Sequence, residues 1–191
     1  MKMTGEIQTT RGRPPRLSRE LIVAAALQRN LESLTMRELA DYLGVSHGAL
    51  YRWVESRDEL LHLISETLVE RVLSVGVLDG TDWRKRIYRL AWAMYNEFRQ
   101  VRGFATLMVR PHRHNAQAFT RFRDAIIDAF EHSGVNSSMA EQSWYIFIIS
   151  VMGWISMEES GPDLGGTGAR FDVFLGTLIK GLPASEPEEY V

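Results

Sequence analysis

Apolar residues recur along this chain with the period of an α-helix. Met36, Leu39, Ala40 and Leu43 stand at positions i, i+3, i+4 and i+7, a spacing that places four side chains on one helix face. Apolar stripes or runs of helical length fall in nine segments, namely 18–29, 35–43, 46–53, 56–75, 82–101, 104–109, 116–132, 138–159 and 170–182. No segment alternates apolar and polar residues over a useful length. The pattern predicts an all-α fold with about nine helices.

Capping residues indicate where these helices begin and end. Thr35 and Glu38 form the S/T-x-x-E capping box, and Ser56 with Glu59 repeats it. Gly44 stands where a left-handed residue commonly ends a helix. The predicted organisation is a flexible basic arm (1–17), a helix-turn-helix domain (18–64, its fourth helix continuing to about 75), a second helical domain (76–183) and an acidic tail (184–191).

Residues 35–54, TMRELADYLGVSHGALYRWV, form a short amphipathic helix, a turn through Gly44 and a second short helix. This order is typical of a helix-turn-helix, in which the first helix holds the second at a steep angle for entry into the major groove of DNA. Leu39 and Leu50 have the spacing to pack the two helices together. A helical hairpin that binds another protein has the same pattern, so the spacing alone leaves both partners open.

The segment 144–157 is the most apolar part of the chain. Glu141 and Glu158 bracket sixteen residues, fewer than the roughly 20 that cross a bilayer, so a membrane span is not expected. A helix that is apolar on all sides must be buried on all sides. We therefore expect this helix and the last one to pack against a second copy of the chain. The alternative is a helix buried in the core of a single chain.

Composition and charge add a location and a class of partner. The 191 residues are 45% apolar and 24% charged, ordinary values for a globular protein. The sequence has no cysteine, which excludes disulfides and thiolate metal sites and makes the cytoplasm the expected location. Residues 1–57 carry nine Lys and Arg against six Asp and Glu, although the whole chain has a net charge of −2. This asymmetry predicts a local contact with a polyanion.

The stretch Leu39–Leu60, LADYLGVSHGALYRWVESRDEL, resembles the DNA-binding domain of the TetR family of transcriptional regulators. The family signature is approximately L-A-x-x-L-G-V-S-x-x-x-L-Y-x-H-F-x-x-K-x-x-L, and the resemblance extends over about residues 18–64. Trp53 and Val54 replace the usual His-Phe, and Arg57 replaces Lys. Arg57 keeps the charge, whereas Trp53 changes the packing or a backbone contact at the end of the recognition helix.

The resemblance implies a homodimer that places two recognition helices in successive major grooves of a palindromic, double-stranded DNA operator, roughly 34 to 36 Å apart. On this helix, His47 can donate to a base acceptor and Ala49 can meet a thymine methyl group. For the long side chain of Arg52, a solvated helix surface is the alternative. The residues of this helix and its end that are predicted to bind DNA, besides Tyr51, are Ser46, His47, Gly48, Ala49, Arg52 and Trp53.

Phosphate contacts are predicted on both sides of the recognition helix. Thr35 and Arg37 begin the supporting helix, where both can reach phosphate and Arg37 can also reach a guanine edge. Tyr51 resembles the phosphate-contacting tyrosine of the family. Arg57, at the start of the next helix, is expected to hold the neighbouring phosphate.

The resemblance also implies a small-molecule effector that binds the C-terminal domain, changes the separation of the two DNA-binding domains and releases DNA. Dimerisation is expected through the last two helices. Aromatic and methionine side chains suit a flat or apolar effector, with core packing as the alternative for each. The candidate effector residues are Trp92, Tyr95, Phe104, Met108, Phe122, Trp144, Phe147 and Met152. A DNA-binding dimer without an effector and a helical protein-interaction module remain the other hypotheses.

The arm contains a second candidate DNA contact. Arg11-Gly12-Arg13-Pro14 resembles the core of an AT-hook, in which Gly lets the backbone lie in a narrow minor groove and the arginines follow its negative potential. A disordered basic tail that adds only salt-dependent affinity is an equal alternative.

Catalysis and bound metal are not expected. His112 and His114 flank Arg113, but residues two apart on a helix diverge by about 200°, so a solvated turn is the expected structure. The glycine-rich segment 161–168 lacks the strand and the Gly-Lys-Ser/Thr of a phosphate loop and is expected to connect the last two helices. No catalytic triad spacing or paired acids stand out, so the protein is not expected to be an enzyme and no cofactor is predicted.

Overall fold

The computed structural model describes residues 17–76, 82–109, 116–161 and 170–185. Within these ranges all regular structure is α-helical, which confirms the predicted fold class, and nine helices are present. They are α1 (Arg19–Ala26), α2 (Met36–Leu43), α3 (His47–Tyr51), α4 (Arg57–Gly76), α5 (Trp83–Phe98), α6 (Phe104–Met108), α7 (Ala116–Glu131), α8 (Ser137–Ser160) and α9 (Phe171–Lys180).

Helices α1 to α3 pack around a small apolar core, and we call this unit the head. Ser18 begins α1 by accepting a hydrogen bond from the Leu21 backbone at 3.2 Å. The side chains of Ile22, Leu39 and Leu50 are completely buried between the three helices. The predicted apolar spacing of α2 and α3 therefore holds the head together.

The helix α1 is shorter than its apolar period predicts, because it ends at Ala26 rather than near residue 29. The turn that follows brings Leu31 and Leu34 into the core, where they are 1% and 8% exposed. The turn after α1 therefore contributes two leucines to the core of the head.

The 20-residue helix α4 runs out of the head and becomes part of the C-terminal helical body. It packs mainly against α5 and also against α7 and α1. Ile64, Leu68 and Val72 are completely buried along its length, as the predicted i, i+4, i+8 spacing requires. A single rigid helix therefore connects the head to the rest of the chain; the domain boundary near residue 76 remains a prediction.

The C-terminal body is built around α5, α7 and α8, with α6 and α9 packed at its sides. Its largest fully buried side chains are Trp144, Phe130 and Phe147. Asp82 begins α5 by accepting hydrogen bonds from the backbone of Arg84 and Lys85 at 3.0 and 3.2 Å. No helix in the described part of the chain is long and apolar enough to cross a membrane.

Candidate DNA interface and effector cavity

The turn between α2 and α3 orients the recognition helix. Gly44 adopts a left-handed conformation with φ 66°, and the Val45 backbone amide donates to the Ala40 carbonyl at 3.0 Å. This is a Schellman-type ending, which glycine adopts without steric cost. Ser46 then begins α3, and its hydroxyl accepts a hydrogen bond from the Ala49 backbone at 3.2 Å. The turn predicted from the sequence is therefore present, with Gly44 at the end of α2 and Ser46 at the start of α3.

The helix α3 presents its polar face outward. Leu50 and the following Val54 are completely buried, whereas His47, Gly48 and Arg52 are exposed. Tyr51 is 38% exposed. The ring of His47 packs edge-on against that of Tyr51, with the ring centroids 4.6 Å apart at 67°. The two rings therefore form one continuous exposed surface, and Ala49 beside them is partly exposed.

Thr35 is occupied within its own helix. Its hydroxyl donates to Glu38 Oε2 at 2.8 Å and accepts from the Glu38 amide at 3.2 Å. The Thr35 backbone amide also donates to Glu38 Oε2, at 2.8 Å, and this hydrogen bond, followed by that of the Thr35 hydroxyl, lowers the pKa of Glu38. To donate to DNA phosphate, the Thr35 hydroxyl would have to give up its bond to Glu38 Oε2, whereas Arg37 at this helix end is exposed; both phosphate contacts stay predictions.

Arg57 does not point to the position predicted for it. Its guanidinium donates to the backbone carbonyls of Leu31 and Leu34 at 2.8 and 3.2 Å. These carbonyls belong to the turn between α1 and α2, inside the protein. In this structure the guanidinium therefore joins α4 to the head, and the phosphate contact expected of Arg57 stays a prediction.

Trp53 and Arg19 connect the end of the recognition helix to α1. The Trp53 carbonyl accepts from Arg19 Nε at 3.0 Å, and Arg19 also pairs with Glu59 at 3.2 Å. The indole of Trp53 is 38% exposed. This position therefore supplies a backbone contact within the head and an exposed ring at its surface. The predicted arm contacts, Arg11 and Arg13, lie outside the described residues.

An apolar cavity of about 400 Å³ lies between α4, α6, α7 and α8. Four of the predicted effector residues line it, and they are Phe104, Met108, Phe122 and Met152. Ser65 is the only residue with a polar side chain among the described residues that line the cavity. Its hydroxyl donates to the Leu61 carbonyl at 2.8 Å, which leaves an oxygen lone pair as the polar feature of the wall.

The other four candidate effector residues do not line this cavity. Trp144 and Phe147 are completely or almost completely buried, and their rings pack against Phe122 and Phe130 respectively. They fill the core instead, which was the alternative for each of them. In this structure they therefore do not line the cavity, and their contact with an effector stays an untested prediction.

Trp92 and Tyr95 belong to an aromatic cluster between α5, α8 and α9. The ring of Tyr95 stacks on Phe171 with centroids 4.1 Å apart, and Trp92 meets the same ring edge-on at 5.0 Å. Tyr95 donates a hydrogen bond to Glu158 Oε1 at 3.3 Å. Burial, followed by the hydrogen bond and charge of Glu158, raises the pKa of Tyr95 above its ordinary value of 10.0. These residues hold the last helix in place, away from the cavity.

Sequence reasoning missed more than half of the cavity lining. The missed residues are Ser65, Val69, Phe98, Val109, Ala118, Phe119, Ile148, Ile149 and Gly153. Several have small side chains, and the cavity exists where such side chains leave space. On α8, the lining positions 148, 149, 152 and 153 share one helix face, and this spacing was the signal available in the sequence.

The helix α8 is buried on one face and apolar on its exposed face. Ile146, Ile149 and Met157 are 43%, 69% and 46% exposed, and Val173 of α9 is 55% exposed. The alternative of a helix buried in the core of a single chain is therefore not met, and the expected packing of α8 against a second copy stays a prediction. An apolar strip of this kind on two adjacent helices is typical of a protein interface.

The turn after α5 makes a direct contact between the body and the head. The Leu31 amide donates to the Arg102 carbonyl at 2.8 Å. Gly103 has φ 81°, and a Cβ atom there would lie 2.6 Å from Asn30 Oδ1 and 2.7 Å from the Glu32 amide nitrogen. Only glycine permits so close an approach.

The carboxylate of Glu159 fixes this turn from the other side. It accepts hydrogen bonds from the Gly103 amide, the Thr106 amide at 2.8 Å and the Thr106 hydroxyl at 2.7 Å. These donors are the first groups of α6, which also lines the cavity through Phe104. The helix α6 therefore contacts the head at one end and the cavity along its side.

In the described residues, no cluster of His, Asp or Glu side chains is arranged to hold a metal ion. His112 and His114 lie outside those residues, as does the glycine-rich segment except Gly161.

Comparison with known proteins agrees with this geometry. Residues 21–64 match the model of the family described as bacterial regulatory proteins, tetR family. This match covers the head and the first part of α4. No protein of curated function matches the chain.

Solved structures share the fold over most of the chain. A possible TetR family transcriptional regulator from Streptomyces coelicolor A3(2) is 28% identical, with a TM-score of 0.67, over 78% of this chain and 76% of that one. A TetR variant from Acinetobacter baumannii AYE in complex with minocycline is 21% identical, with a TM-score of 0.69, over 89% and 100%. BioQ with its double-stranded DNA operator is 24% identical, with a TM-score of 0.68, over 89% and 100%. Residues 21–64 are therefore similar to the tetR family of bacterial regulatory proteins, and most of the chain shares the fold of these solved structures.

Proposed function

We propose that the protein is a homodimeric transcriptional repressor that binds a palindromic DNA operator and releases it when a small apolar molecule enters the cavity. The observation that carries this proposal is the agreement between two independent features of the head. The family match falls on residues 21–64, and within that range the polar face of α3 is exposed while its apolar face is buried.

In this proposal α3 enters the major groove. His47 supplies a ring nitrogen for a base edge, and the neighbouring Ala49 supplies a methyl group for thymine. Tyr51, whose ring supports His47 at 4.6 Å, directs its hydroxyl to the DNA backbone. Arg37 and Arg52, both exposed, add phosphate contacts. The BioQ complex with its operator supports this role for the fold.

The proposed effector is uncharged and largely apolar. No described residue of the cavity wall is ionisable, and burying a charge without a partner is strongly unfavourable. The free lone pair of Ser65 suits one hydrogen-bond donor on the ligand. The ActR protein of Streptomyces coelicolor in complex with actinorhodin supports a ligand site in a chain of this fold.

The proposed dimer forms through the exposed apolar faces of α8 and α9. Ile149 and Val173 are the most exposed large apolar residues on these helices. Gly176 has open space where a Cβ atom would stand, so a helix of a second copy can approach closely at this position. A symmetric arrangement of the two copies would present two α3 helices to DNA.

Helix α6 provides a physical connection between effector and operator. A ligand that displaces Phe104 or Met108 moves a helix whose preceding residue, Gly103, packs directly against the head at Asn30 and Glu32. Gly103 lies so close to Asn30 and Glu32 that not even a Cβ atom fits between them. A small shift of α6 toward the head therefore displaces residues of the head.

Selection from a random duplex library with the purified protein tests the proposal. We expect enrichment of a palindrome whose half-sites are about one helical turn apart. A matched library carried through with His47→Ala/Tyr51→Ala protein should enrich nothing. Addition of neutral aromatic compounds should then release the selected duplex, as followed by fluorescence anisotropy. Failure to enrich any duplex would contradict DNA binding, whereas enrichment without release by any compound would contradict only the effector.

A further inference from the structure

A second cavity, of about 380 Å³, lies where α1, α4 and the end of α5 meet. It differs from the apolar cavity because arginines from three separate elements border it. Arg29 follows α1, Arg71 lies in α4 and Arg102 follows α5. Glu97 is the only acidic residue among the described residues that line it. The lining therefore has a clear excess of positive charge.

The arginines of this cleft have few partners of opposite charge. Arg71, which is exposed, pairs with the half-buried Glu97 at 3.5 Å, a long distance for an ion pair. Arg102 has no ion pair within the described part of the chain. The guanidinium of Arg29 lies 3.9 Å from the ring centroid of Tyr42 in α2, which leaves its edge free to donate hydrogen bonds.

The rest of the lining suits a small organic molecule that carries an anionic group. Ala24, Leu27 and the buried Val101 supply apolar surface, and Gln28 and Gln100 supply amide groups. Gln100 donates to the Asn96 carbonyl at 2.8 Å, so its own carbonyl oxygen remains available.

The cleft is distant from the proposed DNA surface. Arg71 lies fourteen residues beyond Arg57 along α4, which corresponds to about 21 Å of helix. The contact of Arg29 with Tyr42 is made to α2 and not to α3. A DNA phosphate bound beside α3 therefore does not account for the three converging arginines.

We propose that this cleft binds a small multivalent oxyanion, a phosphate ester or a polycarboxylate, through Arg29, Arg71 and Arg102. Guanidinium groups bind both kinds of oxyanion with paired hydrogen bonds. A ligand held by these residues links the head, through Arg29, to α4 and to the turn that contacts Leu31. The site is independent of the apolar cavity and of the function proposed for it.

Isothermal titration of the full-length protein with pyrophosphate and with citrate, at constant ionic strength and without DNA, tests the site. We expect one bound anion per chain, and the preferred probe identifies phosphate or carboxylate as the recognised group. The double variant Arg71→Gln/Arg102→Gln should bind at least tenfold more weakly, because it lacks two of the charge-assisted donors. It should fold normally, because exposed ion pairs contribute little to stability.

Two matched variants keep the test specific. Arg37→Gln/Arg52→Gln removes the same charge from the DNA surface, and Arg89→Gln removes one exposed charge from α5; both should bind the anion as the parent does. Absence of binding by either probe would overturn the proposal. So would equal binding by the cleft variant, or loss of binding in the DNA-surface variant.

Discussion

Arg57 and Leu31 are joined by a hydrogen bond of 2.8 Å from the guanidinium to the backbone carbonyl, across 26 residues of sequence. The amide of the same Leu31 donates to the Arg102 carbonyl, also at 2.8 Å. One residue of the turn after α1 is thus held by the start of α4 on one side and by the body on the other. Leu31 is the point where head, connecting helix and body meet.

Arg57→Ala should destabilise the protein. The substitution removes a charged donor from three carbonyls, those of Leu31, Glu32 and Leu34. We expect a loss of about 2 kcal/mol in the free energy of unfolding, measured with urea. Arg57→Lys should recover only part of this, because an ammonium lacks the planar fork of donors.

The salt dependence of DNA binding separates this structural role from a phosphate contact. Folded Arg57→Ala protein should keep the parent slope of log affinity against log salt. Arg52→Gln, the matched removal of one charge from α3, should reduce the slope by about 0.9 for each phosphate that Arg52 neutralises in the parent complex. A reduced slope for Arg57→Ala would restore the phosphate role that the sequence resemblance implied.

His47→Ala and Tyr51→Phe should change DNA binding without changing stability. Both side chains are exposed, and their rings pack against each other at the surface of α3. Tyr51→Phe removes one hydroxyl, so affinity should fall by about tenfold for all duplex sequences. His47→Ala should relax the preference at one base pair, at a cost of about 1–3 kcal/mol for the preferred base. Anisotropy titrations with single-base variants of the selected duplex measure both effects.

Local signals in the sequence predicted the head well. The capping box of Thr35 and Glu38 and the glycine at 44 are short-range features, and short-range chemistry alone forms them. Leu39 and Leu50 were predicted as the packing face from their spacing and are completely buried. The exposed face of α3 follows directly, because a helix that buries one side must present the other.

The effector cavity was harder to predict because it forms where small side chains leave space between the helices. A search for large aromatic residues finds Trp144 and Phe147, which fill the core. The space itself lies beside Ala118, Gly153 and Ser65, whose side chains are small. Which small residues face one another depends on how α4, α7 and α8 cross, and no local pattern specifies that. The contact of Arg57 with the Leu31 and Leu34 carbonyls was not predicted either. These carbonyls lie in a turn that is distant from Arg57 in the sequence, and no local pattern brings the two together.

Glu159→Gln should loosen the connection between body and head. The carboxylate receives hydrogen bonds from two amides and one hydroxyl at the start of α6. A carboxamide presents a donor in place of one acceptor oxygen, so at least one of these groups loses its partner. We expect the free energy of unfolding to fall by about 1–3 kcal/mol.

A double-mutant cycle of Glu159→Gln with Thr106→Val tests whether the loss of unfolding free energy comes from the contact between Glu159 and Thr106. If Glu159 acts through Thr106, the two substitutions together should cost less than the sum of their separate effects. Strict additivity would show that the carboxylate stabilises the protein through other groups. The same variants, titrated with operator DNA, measure whether the head depends on this turn.

Tyr95 should make the stability of the protein fall at alkaline pH. Burial, then the hydrogen bond and charge of Glu158, raises the pKa of Tyr95 above 10.0 in the folded chain. The unfolded chain therefore loses this proton first as the pH rises. The stabilisation is fully present below the unfolded pKa of about 10 and declines as the pH rises through the folded value.

The difference in unfolding free energy between the parent and Tyr95→Phe isolates this contribution. Measured by urea denaturation at several values between about pH 8 and about pH 11, the difference should be constant up to about pH 10 and then change in favour of the phenylalanine variant. Tyr88→Phe, an exposed position on the same helix, serves as the control for general effects of high pH. Parallel stability curves for the parent and Tyr95→Phe would mean that the hydroxyl of Tyr95 has the same proton affinity in the folded and unfolded chains.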